Sequence, residues 1–203
     1  MSIRTTRRCW IGQRLRDLDV TISIVYSEEM ENLKVKTDIC TRQAWMDMVQ
    51  LPYELRDRVV NAGVLIVPSQ MVAQPTAFMT GTMDLLAFLK SQLGDKVEIC
   101  IADDDYVEIE LNSRTLRLGK FLVVSVLLPV FLNLLSNYIH DRIKEELIPP
   151  VQIETLDFQK PTEVSFTIAV EDSTGKKKEF SYEGPAADFK EVSAEIEKLW
   201  NEE

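Results

Sequence analysis

The sequence predicts an α+β fold: recurring β-hairpin–helix units whose antiparallel sheet packs on a long apolar central helix. Three observations carry that expectation. Apolar residues alternate with polar ones in paired runs. Segments with helix-capping residues follow those runs. Residues 121–140 contain no charged side chain in a chain that is 28% charged.

The first unit begins at "DVTISIVYSEEMENLKVKTDI". Val20, Ile22 and Ile24 alternate with Thr21 and Ser23, and after an acidic loop Leu33, Val35 and Thr37 alternate with lysines. Thr41 is placed to cap a helix through "RQAWMDMVQL", because its hydroxyl can accept from a backbone N–H of the first turn. Pro52 suits the first turn of a second helix, "PYELRDRVVNA", with Gly63 as its stop. "VLIV" at 64–67 reads as a short buried strand. "PSQMVAQPTAFMTG" reads as loop, and Thr82 caps "MDLLAFLKSQL", which Gly94 ends.

The second unit, "KVEICIADDDYVEIELNSRTLRL", predicts a hairpin. Val97, Ile99 and Ile101 form one strand and Val107, Ile109 and Leu111 the returning one, with Asp103, Asp104 and Asp105 at the tip. Asn112 and Ser113 turn into a third strand ending at Leu118. Gly119 then opens the long helix, 119–147, which the prolines at 149 and 150 end by removing backbone donors. In the third unit, "VSFTIAVEDSTGKKKEFSYEG" is a hairpin turning at Gly175. Pro185 takes the first helical position of "PAADFKEVSAEIEKLW", where Phe189, Val192, Ile196, Leu199 and Trp200 make one apolar stripe. A boundary loop near residues 68–81 separates two units, 1–75 and 76–203, unless they form one continuous domain.

On a helical wheel, Ser125, Pro129, Asn133, Ser136, Asn137 and His140 fall in one arc of about 120°. Such a stripe suits a helix that meets a partner along one side. A mid-helix Pro129 would kink the rod. Membrane insertion is near break-even. About a dozen apolar residues contribute roughly 5 kcal/mol, and Pro129 and Asn133 remove several. The span is just adequate for a bilayer core of roughly 30 Å. Arg117, Lys120, Arg142 and Lys144 flank it evenly and set no orientation. A buried core helix is the expectation, and a membrane helix over 120–140 the alternative.

The 203 residues carry a net charge of -10, which excludes a general nucleic-acid binder. Arg4, Arg7, Arg8, Arg14 and Arg16 form a basic N-terminal patch with no acid among the first sixteen residues. A docked turn of helix anchored by Trp10, with solvated arginines, is the expectation, and contact with anionic lipid or RNA the alternative. No apolar run follows those arginines, so no secretory signal is read. Cys9, Cys40 and Cys100 are odd in number and lack C-x-x-C spacing, which fits a reducing compartment and a cytoplasmic setting, with inner-membrane association as the alternative.

Catalytic signals are weak. Ser136, His140 and Asp141 sit on one helix and cannot converge as a triad. Asp103, Asp104, Asp105 and Glu108 lack the spacing of a calcium loop. The GK pair of "STGKKKEF" lacks a phosphate-loop frame. Neither enzyme activity, cofactor nor metal is expected.

The runs "PTAFMTGTMDLLAFLKSQLGDKVEICIADDDYVEIEL" and "VSFTIAVEDSTGKKKEF" each associate an apolar or amphipathic helix with alternating strands. That layout resembles small effector-associated components of bacterial conflict and antiviral defence systems, short α+β proteins with an apolar helix. The resemblance implies a defence role through partner binding or membrane association and transfers no active site. The functional expectation is a non-catalytic protein-interaction component, an accessory or adaptor subunit with a protein partner or a second copy. It would act through the polar stripe of helix 119–144 or a sheet edge. The alternative is a membrane effector whose helix 120–140 inserts and oligomerises.

Overall fold

The computed structural model describes residues 24–26, 32–37, 39–69, 76–109, 115–146 and 163–202. The arginines of the basic N-terminal patch lie outside the described residues. The chain is a mixed α+β protein, with nine strands and five helices among those residues. In order they are β1 (Ile24–Tyr26), β2 (Leu33–Lys36), α1 (Arg42–Met48), α2 (Tyr53–Asn61), β3 (Val64–Val67), β4 (Ala77–Met79) and α3 (Thr82–Leu93). There follow β5 (Val97–Ile99), β6 (Val107–Ile109), β7 (Thr115–Val124), α4 (Leu128–Glu146), β8 (Glu163–Glu171), β9 (Lys177–Pro185) and α5 (Phe189–Asn201).

Seven strands form one sheet in the order β1-β2-β9-β8-β7-β3-β5, and β4 pairs with β6 apart from it. Strands from both sides of residues 68–81 thus share one sheet. The pairs β1/β2, β2/β9, β8/β9 and β3/β7 are antiparallel, while β7/β8 and β3/β5 are parallel. A parallel pair needs a crossover, because the chain must return to the same end of the sheet before pairing. Helix α4 supplies it between β7 and β8, and α3 between β3 and β5.

Helices pack on both faces. Phe121 of β7 meets Phe131 of α4 with ring centroids 5.1 Å apart, and Phe166 of β8 meets Phe189 of α5 at 5.4 Å. Neighbouring strand residues point the other way. Lys120 accordingly lies over the ring of Trp45 in α1, on the opposite face, at 5.4 Å. All four residues of β3 are buried, as are Phe121, Leu122 and Val123, which is the pattern of a strand covered on both sides.

That burial corrects the long helix. Residues 115–124 are strand, Ser125–Leu127 form a 3-10 turn, and α4 starts only at Leu128. A strand buried on both faces is as continuously apolar as a core helix, so composition does not separate them. Gly119 sits at φ 85 inside β7, beside a register shift between Arg117 and Gly119. It marks a bulge rather than a helix start. Pro129 falls in the first turn of α4, where its missing N–H has no helical partner to lose, and it kinks nothing. No helix among the described residues is long and apolar enough to cross a membrane.

The second hairpin is also corrected. β5 runs beside β3 and β6 beside β4, so the strands on either side of the Asp103–Asp105 turn belong to different sheets. Asp103–Asp105 is a 3-10 turn, and the pairing partners lie 33 residues upstream of β5, as Val64 to Val97, and 30 upstream of β6, as Ala77 to Val107. α5 begins at Phe189, after a 3-10 turn Ala186–Asp188, so Pro185 ends β9 instead of opening a helix. Gly81, at φ 85, is the N-cap of α3, and Thr82 is its first residue, its hydroxyl donating to the Met79 carbonyl at 2.6 Å.

Other local readings hold. The Thr41 hydroxyl accepts from the Ala44 N–H at 3.2 Å. Gly94 ends α3 at φ 60 and Gly175 turns the β8/β9 hairpin at φ 91, while Pro52 is the N-cap of α2, one residue before the first turn expected for it. Phe189, Val192, Ile196 and Trp200 are buried along α5, with Leu199 partly buried beside them.

Candidate functional site

Helix α4 buries Phe131, Leu132, Leu135, Tyr138 and Ile139 against the sheet and its neighbours. The anchors recur every three or four residues, so the intervening positions face solvent. Pro129, Asn133, Asn137 and His140 are exposed, and Ser136 is half-buried. Ser125 lies in the turn before the helix, half-buried, so the structure does not place it on the helical stripe. The sequence-predicted stripe survives over about three turns, Pro129 to His140, instead of the roughly four and a half from Ser125. It gains one apolar residue near its start, Val130, which is 47% exposed, and Val126 in the preceding turn is 81% exposed. The amide of Asn137 donates to Asn133 at 3.4 Å. From Ser125 to His140 no residue is charged.

The other sequence candidates stay apart. Asp103, Asp104, Asp105 and Glu108 are exposed, and Glu108 accepts from the Tyr106 hydroxyl at 2.5 Å. The described residues hold no group of three or more His, Cys, Asp or Glu able to bind a metal ion. The described sheet ends in β1 and β5, each three residues long, and such short edges are poor templates for strand addition.

A second site was not legible in the sequence. Between α1 and the bulge of β7 lies a partly open cavity of about 250 Å³, lined by Trp45, Arg117, Lys120, Ser165 and Thr167 among others. The bulge creates it. Arg117 pairs with Ser165 and Lys120 with Thr167, so the three-residue step on β7 matches a two-residue step on β8. In a regular strand an odd step puts side chains on opposite faces, and the extra residue restores them to one. Gly119 takes the positive φ this requires, and a Cβ there would meet nothing within 4 Å, so its role is conformational rather than spatial.

The cavity is electrostatically unusual. Lys120 pairs with Glu179 at 2.6 Å, and Lys36 approaches the same carboxylate at 3.6 Å. Thr167 and Ser181 share a hydroxyl hydrogen bond at 3.1 Å. Nε1 of Trp45 and Nε of Arg117 are buried with no hydrogen-bond partner among the described residues. The one sequence hint was Gly119 between two basic residues in an alternating run, and it reads equally as a helix start. Comparison with protein-family models, curated proteins and solved structures finds no match for this chain.

Proposed function

We propose that this chain is a non-catalytic protein-interaction component, an accessory or adaptor subunit working in the cytoplasm, and that the solvent face of α4 is its contact surface. The layout resemblance would set that role in a bacterial defence system. The observation that carries the reading is the uncharged face of α4 and the turn before it: Val126 in the turn and Pro129, Val130, Asn133, Asn137 and His140 on the helix are exposed, with no charge from Ser125 to His140. Interface centres are depleted in charge relative to the remaining surface, and this chain is otherwise rich in it. Ser136, His140 and Asp141 lie on one helix, which favours contact over catalysis.

The partner favoured is a second copy. Val130, Asn133, Asn137 and His140 follow the 3-4 spacing of a helix-pairing seam. An asparagine amide carries donor and acceptor together, so a two-fold axis can set each against its own counterpart. Two copies of net charge -10 meet with least repulsion on a neutral face.

Sedimentation velocity of the full chain over a range of concentrations tests this. The expected result is a dimer that Asn133→Arg dissociates, since like charges would then oppose across the axis. A photo-crosslinker at Asn137 should give an adduct of twice the 23.3 kDa chain mass. A monomer at every concentration, a dimer indifferent to Asn133→Arg, or an adduct with a different protein overturns the second-copy reading.

A further inference from the structure

The geometry points to a binding site for a phosphate-type oxyanion in the cavity between α1 and the bulge of β7, independent of the α4 surface. The side chains lining it offer donors and no carboxylate: Arg117, Lys120, Trp45, and hydroxyls of Ser69, Ser165 and Thr167 that can turn to donate. Positive charge is in excess there. Among the described residues Glu179 is the carboxylate that pairs with Lys120 and Lys36, Glu183 lies one strand further out, beyond Ser165, and Arg117 has no ion-pair partner. This is a concentration of cations in a chain of net charge -10.

The buried donors add an independent observation. Trp45 is 1% exposed, and its Nε1 and the Nε of Arg117 are buried without an acceptor among the described residues. Native structures satisfy nearly all such groups, and an oxyanion in the cavity would accept from this set. Lys120 is held in place from two sides, by Glu179 and by the Trp45 ring, so it is positioned before any ligand arrives.

The ligand class follows from direction and size. The donors come from α1, the segment after β3, β7 and β8, so they approach from several sides. A tetrahedral oxyanion accepts such a set, with the arginine fork spanning two oxygens and the lysine acting as a point charge. A cavity of about 250 Å³ is smaller than the roughly 300–1,000 Å³ that encloses drug-sized ligands. Inorganic phosphate or the phosphomonoester of a small molecule fits, and a polymer does not.

Isothermal titration calorimetry of the full chain at fixed ionic strength, with inorganic phosphate, glycerol 2-phosphate and acetate in separate titrations, tests the site. The expected result is saturable one-site binding of a phosphate probe, with acetate far weaker. Arg117→Gln should weaken it by about tenfold or more while leaving the ligand-free unfolding midpoint in place, because Arg117 has no ion-pair partner to lose among the described residues. Trp45→Phe keeps an aromatic ring, though a smaller one, removes the N–H and should weaken binding in the same direction. Binding of free phosphate and ester alike assigns recognition to the phosphate, and binding of the ester alone assigns part of it to the organic group. Absence of saturable binding by both phosphate probes, equal binding of acetate, or binding indifferent to Arg117→Gln and Trp45→Phe overturns the proposal.

Discussion

Arg42 and Glu171 form an ion pair at 3.3 Å, joining the first residue of α1 to the last of β8. The same guanidinium donates from Nη1 to the carbonyls of Val59, Val60 and Ala62 at 2.8, 3.2 and 2.5 Å. These carbonyls end α2, where helical partners run out. One buried side chain thus fastens α1, the end of α2 and the sheet. Arg42→Ala should cost about 2 to 4 kcal/mol, because it strands a carboxylate and several carbonyls. Arg42→Lys keeps the charge without the fork and should lose less. Urea unfolding of the three proteins at equal m-values measures both.

Glu98 on β5 is buried and accepts from Lys90 of α3 at 2.9 Å and Arg58 of α2 at 2.5 Å. Burial pushes its pKa up, but the hydrogen bonds and charges of Lys90 and Arg58 outweigh burial, so it settles below the ordinary 4.5. A lowered folded-state pKa contributes stability that is fully present above the ordinary value and is lost as pH falls through the folded one. Unfolding free energy should therefore decline on acidification through that window, and Glu98→Gln should flatten the decline. Parallel urea titrations across acidic pH compare the slopes; equal slopes would remove Glu98 from the account.

Cys100 is fully buried, and burial raises its thiol pKa to about 12 against a smaller opposing pull from Arg42. The thiolate is the reactive form. At mildly alkaline pH the native chain should leave Cys100 unmodified by iodoacetamide, and urea should expose it. Peptide-level mass spectrometry reads the difference, and prompt native labelling at Cys100 would contradict its burial.

Pro129 discriminates the two readings of the central segment. A proline inside a helix costs about 3 kcal/mol, so its replacement would stabilise a continuous helix strongly. In the first turn of α4 Pro129→Ala should change stability by less than about 1 kcal/mol, chiefly through the unfolded chain. A gain near the larger figure, by urea unfolding, would restore the long helix.

Much of the fold was legible because its signals are local. Thr41, Gly94 and Gly175 act within a few residues, and the β8/β9 hairpin and the α5 stripe rest on short-range alternation and period. The second hairpin failed for the opposite reason. β5 and β6 alternate as hairpin strands would, but Val97 pairs with Val64 and Val107 with Ala77, partners that alternation does not name. The candidate site divides the same way. Asn133, Asn137 and His140 were found by helical period alone, whereas Trp45, Arg117 and Lys120 come together only through strand register and the packing of α1.

By itself the sequence determined the mixed class, most caps and turns, and which residues are apolar enough to be buried, since these follow from backbone preference and transfer from water. Tertiary structure alone decided that residues 119–124 continue the strand, with Phe121–Val123 buried on both faces, that α3 and α4 are crossovers between parallel strands, and that Arg117 and Lys120 share a face. The physical reason is common to all three. Apolar burial has no direction, so a buried strand and a buried helix can share a composition, and only long-range hydrogen-bond register selects between them.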